Sequence, residues 1–103
     1  ILNPEEVIAL ENDENSPENI YKKMYFDFQD KKYEAVISSV DIAIRHYETL
    51  AILPKFELLR AYAIGKRDGL DAFKTALEFV SLNYSNTIEG KKAKEVIETI
   101  EGL

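Results

Sequence analysis

Apolar residues recur along most of this chain in steps of three and four, the repeat of a single helix face. From Ser16 onward the pattern divides into five runs. Ser16-Pro17-Glu18 opens the first: the serine can accept an orphan amide, and proline at the first helical position has no amide to leave unpaired. The spacing predicts a helix over 17–29, with Ile20, Tyr21, Met24, Tyr25 and Phe28 on one face. A polar turn from Gln29 to Lys32 follows, with Asp30 expected to cap the next helix. That helix is predicted over 31–47 on a broad stripe of Tyr33, Val36, Ile37, Val40, Ala43, Ile44 and Tyr47. Its last turn carries Arg45 and His46, where cations suit the helix dipole.

After a connector from Glu48 to Leu53, Pro54 opens a third helix, predicted over 54–66, with Phe56, Leu58, Leu59, Ala61, Tyr62 and Ala63 inside it. Gly65 and Gly69 are expected to bracket the turn into a fourth helix over 69–84, which buries Ala72, Phe73, Ala76, Leu77 and Val80. Asn86 and Glu89 have capping-box spacing ahead of a fifth helix over 87–101, built on Ala93, Val96, Ile97 and Ile100. Before Ser16 the pattern is mixed. Asn3-Pro4-Glu5-Glu6 suits a short helical turn bearing Val7, Ile8 and Leu10, and Glu11 to Asn15 is an acidic connector. The expected organisation is therefore an N-terminal segment over 1–16 and an all-α domain over 17–103.

A shift of 37 residues lays the second helix pair on the first. Tyr25 falls on Tyr62, Ala35 on Ala72, Val36 on Phe73, Ser39 on Ala76, Val40 on Leu77, Ala43 on Val80 and Tyr47 on Tyr84. Such a period is the mark of stacked helical hairpins. One hairpin cannot cover its own apolar faces, so hairpins stack. Ala35, Ser39, Ala72 and Ala76 are expected to let neighbouring helices approach closely. The competing reading is an unrelated bundle of four or five helices, because any two amphipathic hairpins of equal length match in part.

The residues Asp30-Lys31-Lys32-Tyr33-Glu34-Ala35-Val36-Ile37 resemble the turn and second-helix opening of a tetratricopeptide repeat (TPR). Further runs carry a narrower resemblance: Ile1 to Pro4, Pro54 to Lys66, Ala72-Phe73-Lys74, Asn83 to Thr87 and Glu89 to Lys94. With these, the chain resembles the C-terminal part of the large TPR lipoproteins of Bacteroidota, of the SprE or PorW type, which belong to gliding motility and the type IX secretion system. Ser85 stands where such repeats usually carry proline, and the usual glycine and tryptophan of the first helix are missing. The resemblance implies a TPR-like helical-hairpin solenoid, two hairpins plus a C-terminal packing helix. It also implies a non-catalytic protein-interaction scaffold of the cell envelope, facing the periplasm and associated with the outer membrane. Ile1 is not a start methionine, so the chain is expected to be a cut-out or mature fragment, with any signal or lipid anchor lying upstream of it. The alternatives are a cytoplasmic TPR adaptor, or a structural spacer in a larger regulatory or enzymatic protein.

Composition narrows the chemistry. Apolar residues make up 46% and charged residues 31%, which separates this chain from disordered ones. No cysteine is present, which excludes disulfides and thiolate metal sites. A single histidine, His46, would need three carboxylates around it to bind zinc, so it reads as a helix-end residue. The acidic start lacks the glycine and terminal glutamate of a calcium loop. No phosphate-cradling glycine loop and no nucleophile–base set appears. The expected reading is thus no enzyme, no metal and no cofactor; a carboxylate-based hydrolase is the remote alternative, since a shallow groove offers no buried cleft for paired carboxylates. A net charge of −6 disfavours nucleic acid. No apolar run exceeds four residues, as at Leu50 to Leu53, so no transmembrane segment is expected. Lys91, Lys92 and Lys94 interleave with Glu89, Glu95 and Glu98 as a solvated face.

The aromatic residues are the candidate site. Tyr21, Tyr25 and Phe28 are spaced i, i+4, i+7 on the first helix, and Leu58, Tyr62 and Gly65 take the equivalent places on the third. In TPR proteins the first helices of successive hairpins line a concave groove for a peptide or a partner helix. Tyr21, Tyr25, Phe28, Lys55, Leu58 and Tyr62 are the residues expected to line it, and tyrosine, with an apolar face and a polar tip, suits such a surface. Lys22, Lys55 and Arg60 are expected to meet an acidic partner. The plain alternative is that these rings only pack hairpin against hairpin.

Overall fold

The computed structural model describes residues 16–46 and 51–103. Every regular element among them is a helix: α1 Pro17–Gln29, α2 Tyr33–His46, α3 Leu53–Asp68, α4 Leu70–Asn83 and α5 Ile88–Glu101. The expected short N-terminal helix, most of the connector after α2, and the pairing of Tyr47 with Tyr84 lie outside the described residues.

Local chemistry sets each boundary. Ser16 caps α1 by accepting the Asn19 N–H at 3.3 Å, with Pro17 in the first turn. At the other end the Lys31 N–H donates to the Phe28 carbonyl and the Lys32 N–H to the Asp27 carbonyl. This paired closure places Lys31 in the left-handed region at φ 64°, a position where glycine is the usual residue. Asp30 therefore ends α1 and does not cap α2, which begins at Tyr33 with the Lys32 carbonyl accepting the Val36 N–H. The second helix starts two residues later than the sequence pattern suggests.

The predicted turn between Gly65 and Gly69 contracts to one residue. α3 continues through Gly65 to Asp68, and Gly69 at φ 99° makes the whole corner before α4. Gly65 serves packing instead: a Cβ there would lie 2.6 Å from the Phe73 ring. At the start of α5, Thr87 is the cap in place of the expected Asn86. Its hydroxyl accepts the Gly90 N–H at 3.0 Å and donates to the Tyr84 carbonyl at 2.7 Å.

The helices pack in a chain of neighbours. α1 meets α2 and α3, α2 meets α3, α3 meets α4 and α5, and α4 meets α5; among the described residues the backbones of α1 and α2 come close to neither α4 nor α5. Two cores result. Met24, Val36, Ile37, Val40, Ala43, Leu53, Phe56, Leu59 and Ala63 form the first, and Ala61, Leu77, Val80, Ala93 and Ile97 the second. α3 is the wall common to both. Val36, Val40, Phe56, Leu77 and Val80 are fully enclosed, each worth about 1.5–3 kcal/mol over an exposed position. Several residues paired by the 37-residue shift share an environment: Met24 with Ala61, Val40 with Leu77, and Ala43 with Val80 are all buried. The small residues behave otherwise. Ala35 is exposed and Ser39, Ala72 and Ala76 are half-buried, while Ala43, Ala61, Ala63 and Ala93 are the buried small residues. The buried face of α2 begins one position later, at Val36, which turns Ala35 outward.

Candidate partner-binding groove

The first, third and fifth helices frame an open groove of about 370 Å³ lined by Tyr21, Tyr25, Phe28, Lys55, Leu58, Leu59, Tyr62 and Glu89. All six residues singled out from the sequence are among them. Helical spacing explains why. Tyr21, Tyr25 and Phe28 share one face of α1, and Lys55, Leu58, Leu59 and Tyr62 share one face of α3, so contact between the two helices brings the faces together. Leu59 and Glu89 were not foreseen as site residues. Leu59 carries no signal apart from that of a core position. Glu89 is placed by the Thr87 cap and the turn before α5, and only tertiary contact carries it to α1.

The rings serve two purposes at once. Tyr21 stacks on the enclosed Phe56 with centroids 6.0 Å apart, Phe28 meets Tyr33 at 5.5 Å, and Tyr62 meets Phe73 at 5.1 Å. These three rings pack inward with one side and border the groove with the other. Tyr25 differs: it is 45% exposed and its ring neighbour is Tyr21 at 6.4 Å. The Lys55 ammonium lies over the Tyr21 ring, 5.4 Å from the centroid. Burial pushes the Tyr21 hydroxyl above the usual tyrosine range, with Tyr25 and the Glu89 carboxylate adding to the rise.

The expected basic rim does not form. Arg60 projects from another side of α3, donates to Asp41 of α2 at 2.9 Å, and borders a separate cavity of about 510 Å³ with Ile64, Asp71, Ala72, Thr75, Ala76 and Phe79. Lys22 is exposed and does not line the groove. Lys55 remains, with Glu89 as its opposite charge, so the groove has no net charge of its own. The same balance holds more widely. All 13 lysines and arginines lie within residues 16–103, which carry 13 acidic residues outside Glu48. The net −6 therefore resides in five carboxylates of residues 1–15 and in Glu48. The charge expected to disfavour nucleic acid thus lies outside the described helices, in that first segment and Glu48.

Glu57 is the one charged side chain in the interior among the described residues. Burial raises its carboxyl above the usual range; Arg60 opposes the shift and Asp41 adds to it. It does not border the groove. Among the described residues, no group of three or more histidines and carboxylates could hold a metal ion, and no helix is long and apolar enough to cross a membrane.

Compared with known proteins, the chain matches no family and no curated protein.

Proposed function

We propose that this chain is a non-catalytic protein-interaction module, built as a TPR-like stack of two hairpins closed by α5, whose groove receives a segment of another protein. One observation carries the reading. Residues that repeat at equivalent places on α1 and α3 line a single open groove, joined by α5. The neighbour-only packing and the 37-residue repeat fit a solenoid, in which stability comes from interfaces between adjacent units. The outer side of α5 also fits. At the places where α3 presents Leu58, Ala61, Tyr62 and Gly65, α5 presents Glu95, Glu98, Thr99 and Gly102, a polar surface of the kind that closes a stack.

Photo-crosslinking in the source cell tests it. A crosslinking residue in place of Tyr25 is expected to capture a defined protein partner that one in place of exposed Ser85 does not, and Leu58→Asp is expected to abolish that capture. Equal capture from both places, or none from Tyr25, overturns the reading in favour of a structural spacer. The cell-envelope setting belongs to the same proposal and rests on the sequence resemblance to the Bacteroidota secretion and motility lipoproteins. A full-length gene with a lipobox and further upstream repeats is the expected finding; a cytoplasmic catalytic domain in that gene refutes it.

A further inference from the structure

The groove already accommodates a cation. The Lys55 ammonium rests on the face of Tyr21 at 5.4 Å, while Glu89 borders the same space. Aromatic faces are electron-rich and attract ammonium and guanidinium groups. Taking the groove as a docking site, as above, we infer that a partner's anchoring residue is an arginine or lysine side chain, lodged on the tyrosine faces with Glu89 as its counter-ion and displacing Lys55.

The charges decide against other anchors. A bound segment removes Glu89 from water, and a buried carboxylate without a counter-charge is costly. An acidic anchor would add a second negative charge beside Glu89 and beside the ring faces. A wholly apolar anchor that took the ring face from Lys55 would leave Glu89 without a cation in the groove. A guanidinium meets both the carboxylate and the rings, and its planar form stacks on tyrosine. Lys55 is exposed and sits on a flexible four-carbon stem, so it can give up the ring to solvent. Tyr25 offers a further ring face, 45% exposed and 6.4 Å from Tyr21. The near-neutral balance of residues 16–103, 13 basic against 14 acidic side chains with Glu48, puts no long-range barrier before a basic segment, and the acidic first fifteen residues attract one.

The test uses the whole chain with tyrosine rings observed by NMR at low salt. Three probes are titrated: N-acetyl-arginine amide, N-acetyl-leucine amide and N-acetyl-glutamate amide. The expected result is saturable movement of the Tyr21, Tyr25 and Tyr62 ring signals with the arginine probe and none with the glutamate probe. Glu89→Gln is expected to weaken arginine binding roughly two- to fivefold. Lys55→Met, which frees the Tyr21 face and removes a like charge, is expected to strengthen it by a similar factor. Lys55 is exposed and Glu89 half-buried, and an unchanged helical circular dichroism spectrum verifies folding. Saturation by leucine with no response to arginine, or equal arginine binding by Glu89→Gln, overturns the cationic anchor and leaves the groove reading standing. Silence from all three probes overturns both.

Discussion

Replacing Gly90 by alanine would drive a methyl group into the carbonyl oxygen of Tyr84. A Cβ at this third position of α5 overlaps that oxygen outright and lies 3.1 Å from the Ser85 nitrogen. The obstacle is backbone and cannot rotate aside. The carbonyl is also held in place, accepting the Thr87 N–H at 2.9 Å and the Thr87 hydroxyl at 2.7 Å. Retreat by roughly 1.5 Å, enough to restore ordinary contact, breaks both bonds. Each is worth about 1 kcal/mol net. The Thr87 cap on the Gly90 N–H goes with them, at about 1 kcal/mol. Against this, alanine favours the helix over glycine by about 1 kcal/mol. The expected net loss is about 2 kcal/mol, a large fraction of the stability of a domain of this size. Urea unfolding followed by circular dichroism at 222 nm reads it as a fall in midpoint of roughly 1 M. Thr87→Ala in the Gly90→Ala background should add little, because the bonds it removes are already lost. Gly102→Ala is the control, since its Cβ meets the Glu98 carbonyl at an ordinary 3.5 Å. A Gly90→Ala midpoint at or above that of the native chain would refute the reasoning, for it would mean that the turn yields freely and helix propensity alone decides.

Three further outcomes follow from the same structure. Lys31→Gly should raise stability by about 0.5–1 kcal/mol, measured by urea unfolding, because glycine adopts the φ 64° closure of α1 without steric cost. Leu77→Ala should cost about 2–5 kcal/mol in the same assay, while Leu82→Ala, on the same helix at 79% exposure, should stay within about 0.5 kcal/mol of native. Glu57 sets a pH dependence. Its folded carboxyl titrates above its unfolded value, so in that window the folded state binds more protons than the unfolded state, and this group's contribution to stability falls as pH rises. Glu57→Gln should therefore be more stable than the native chain at neutral pH. The difference should shrink as pH falls into the ordinary glutamate range; a difference that grows on acidification contradicts the burial argument.

The five helices and the grouping of six groove residues are legible in the amino-acid sequence because they rest on local rules. A serine before a proline starts α1 wherever that helix ends up. A three- and four-residue apolar step marks one side of a helix without reference to its neighbours. The 37-residue shift works for the same reason: it compares one hairpin with another of like length. The sequence thus determined which residues share a face on α1 and which on α3.

Which face meets which neighbour was decided only by packing. α3 is covered from both sides, so its apolar residues encircle much of the helix and no polar stripe marks an outside. That is why Arg60, close in sequence to Leu58 and Tyr62, joins Asp41 at another side of α3, and why Lys55 alone of the expected cations borders the groove. Glu89 borders the same groove as Tyr21 only because α5 packs on α3. Choices between adjacent candidates also needed the tertiary structure. Thr87 caps α5 in place of Asn86, and Gly65 lies within α3 as a packing position, where the Phe73 ring of α4 fills the space that a Cβ would occupy. Periodicity fixes an angle around one axis; the distance and rotation between two axes are set by side-chain volumes on both, and no single segment carries that information.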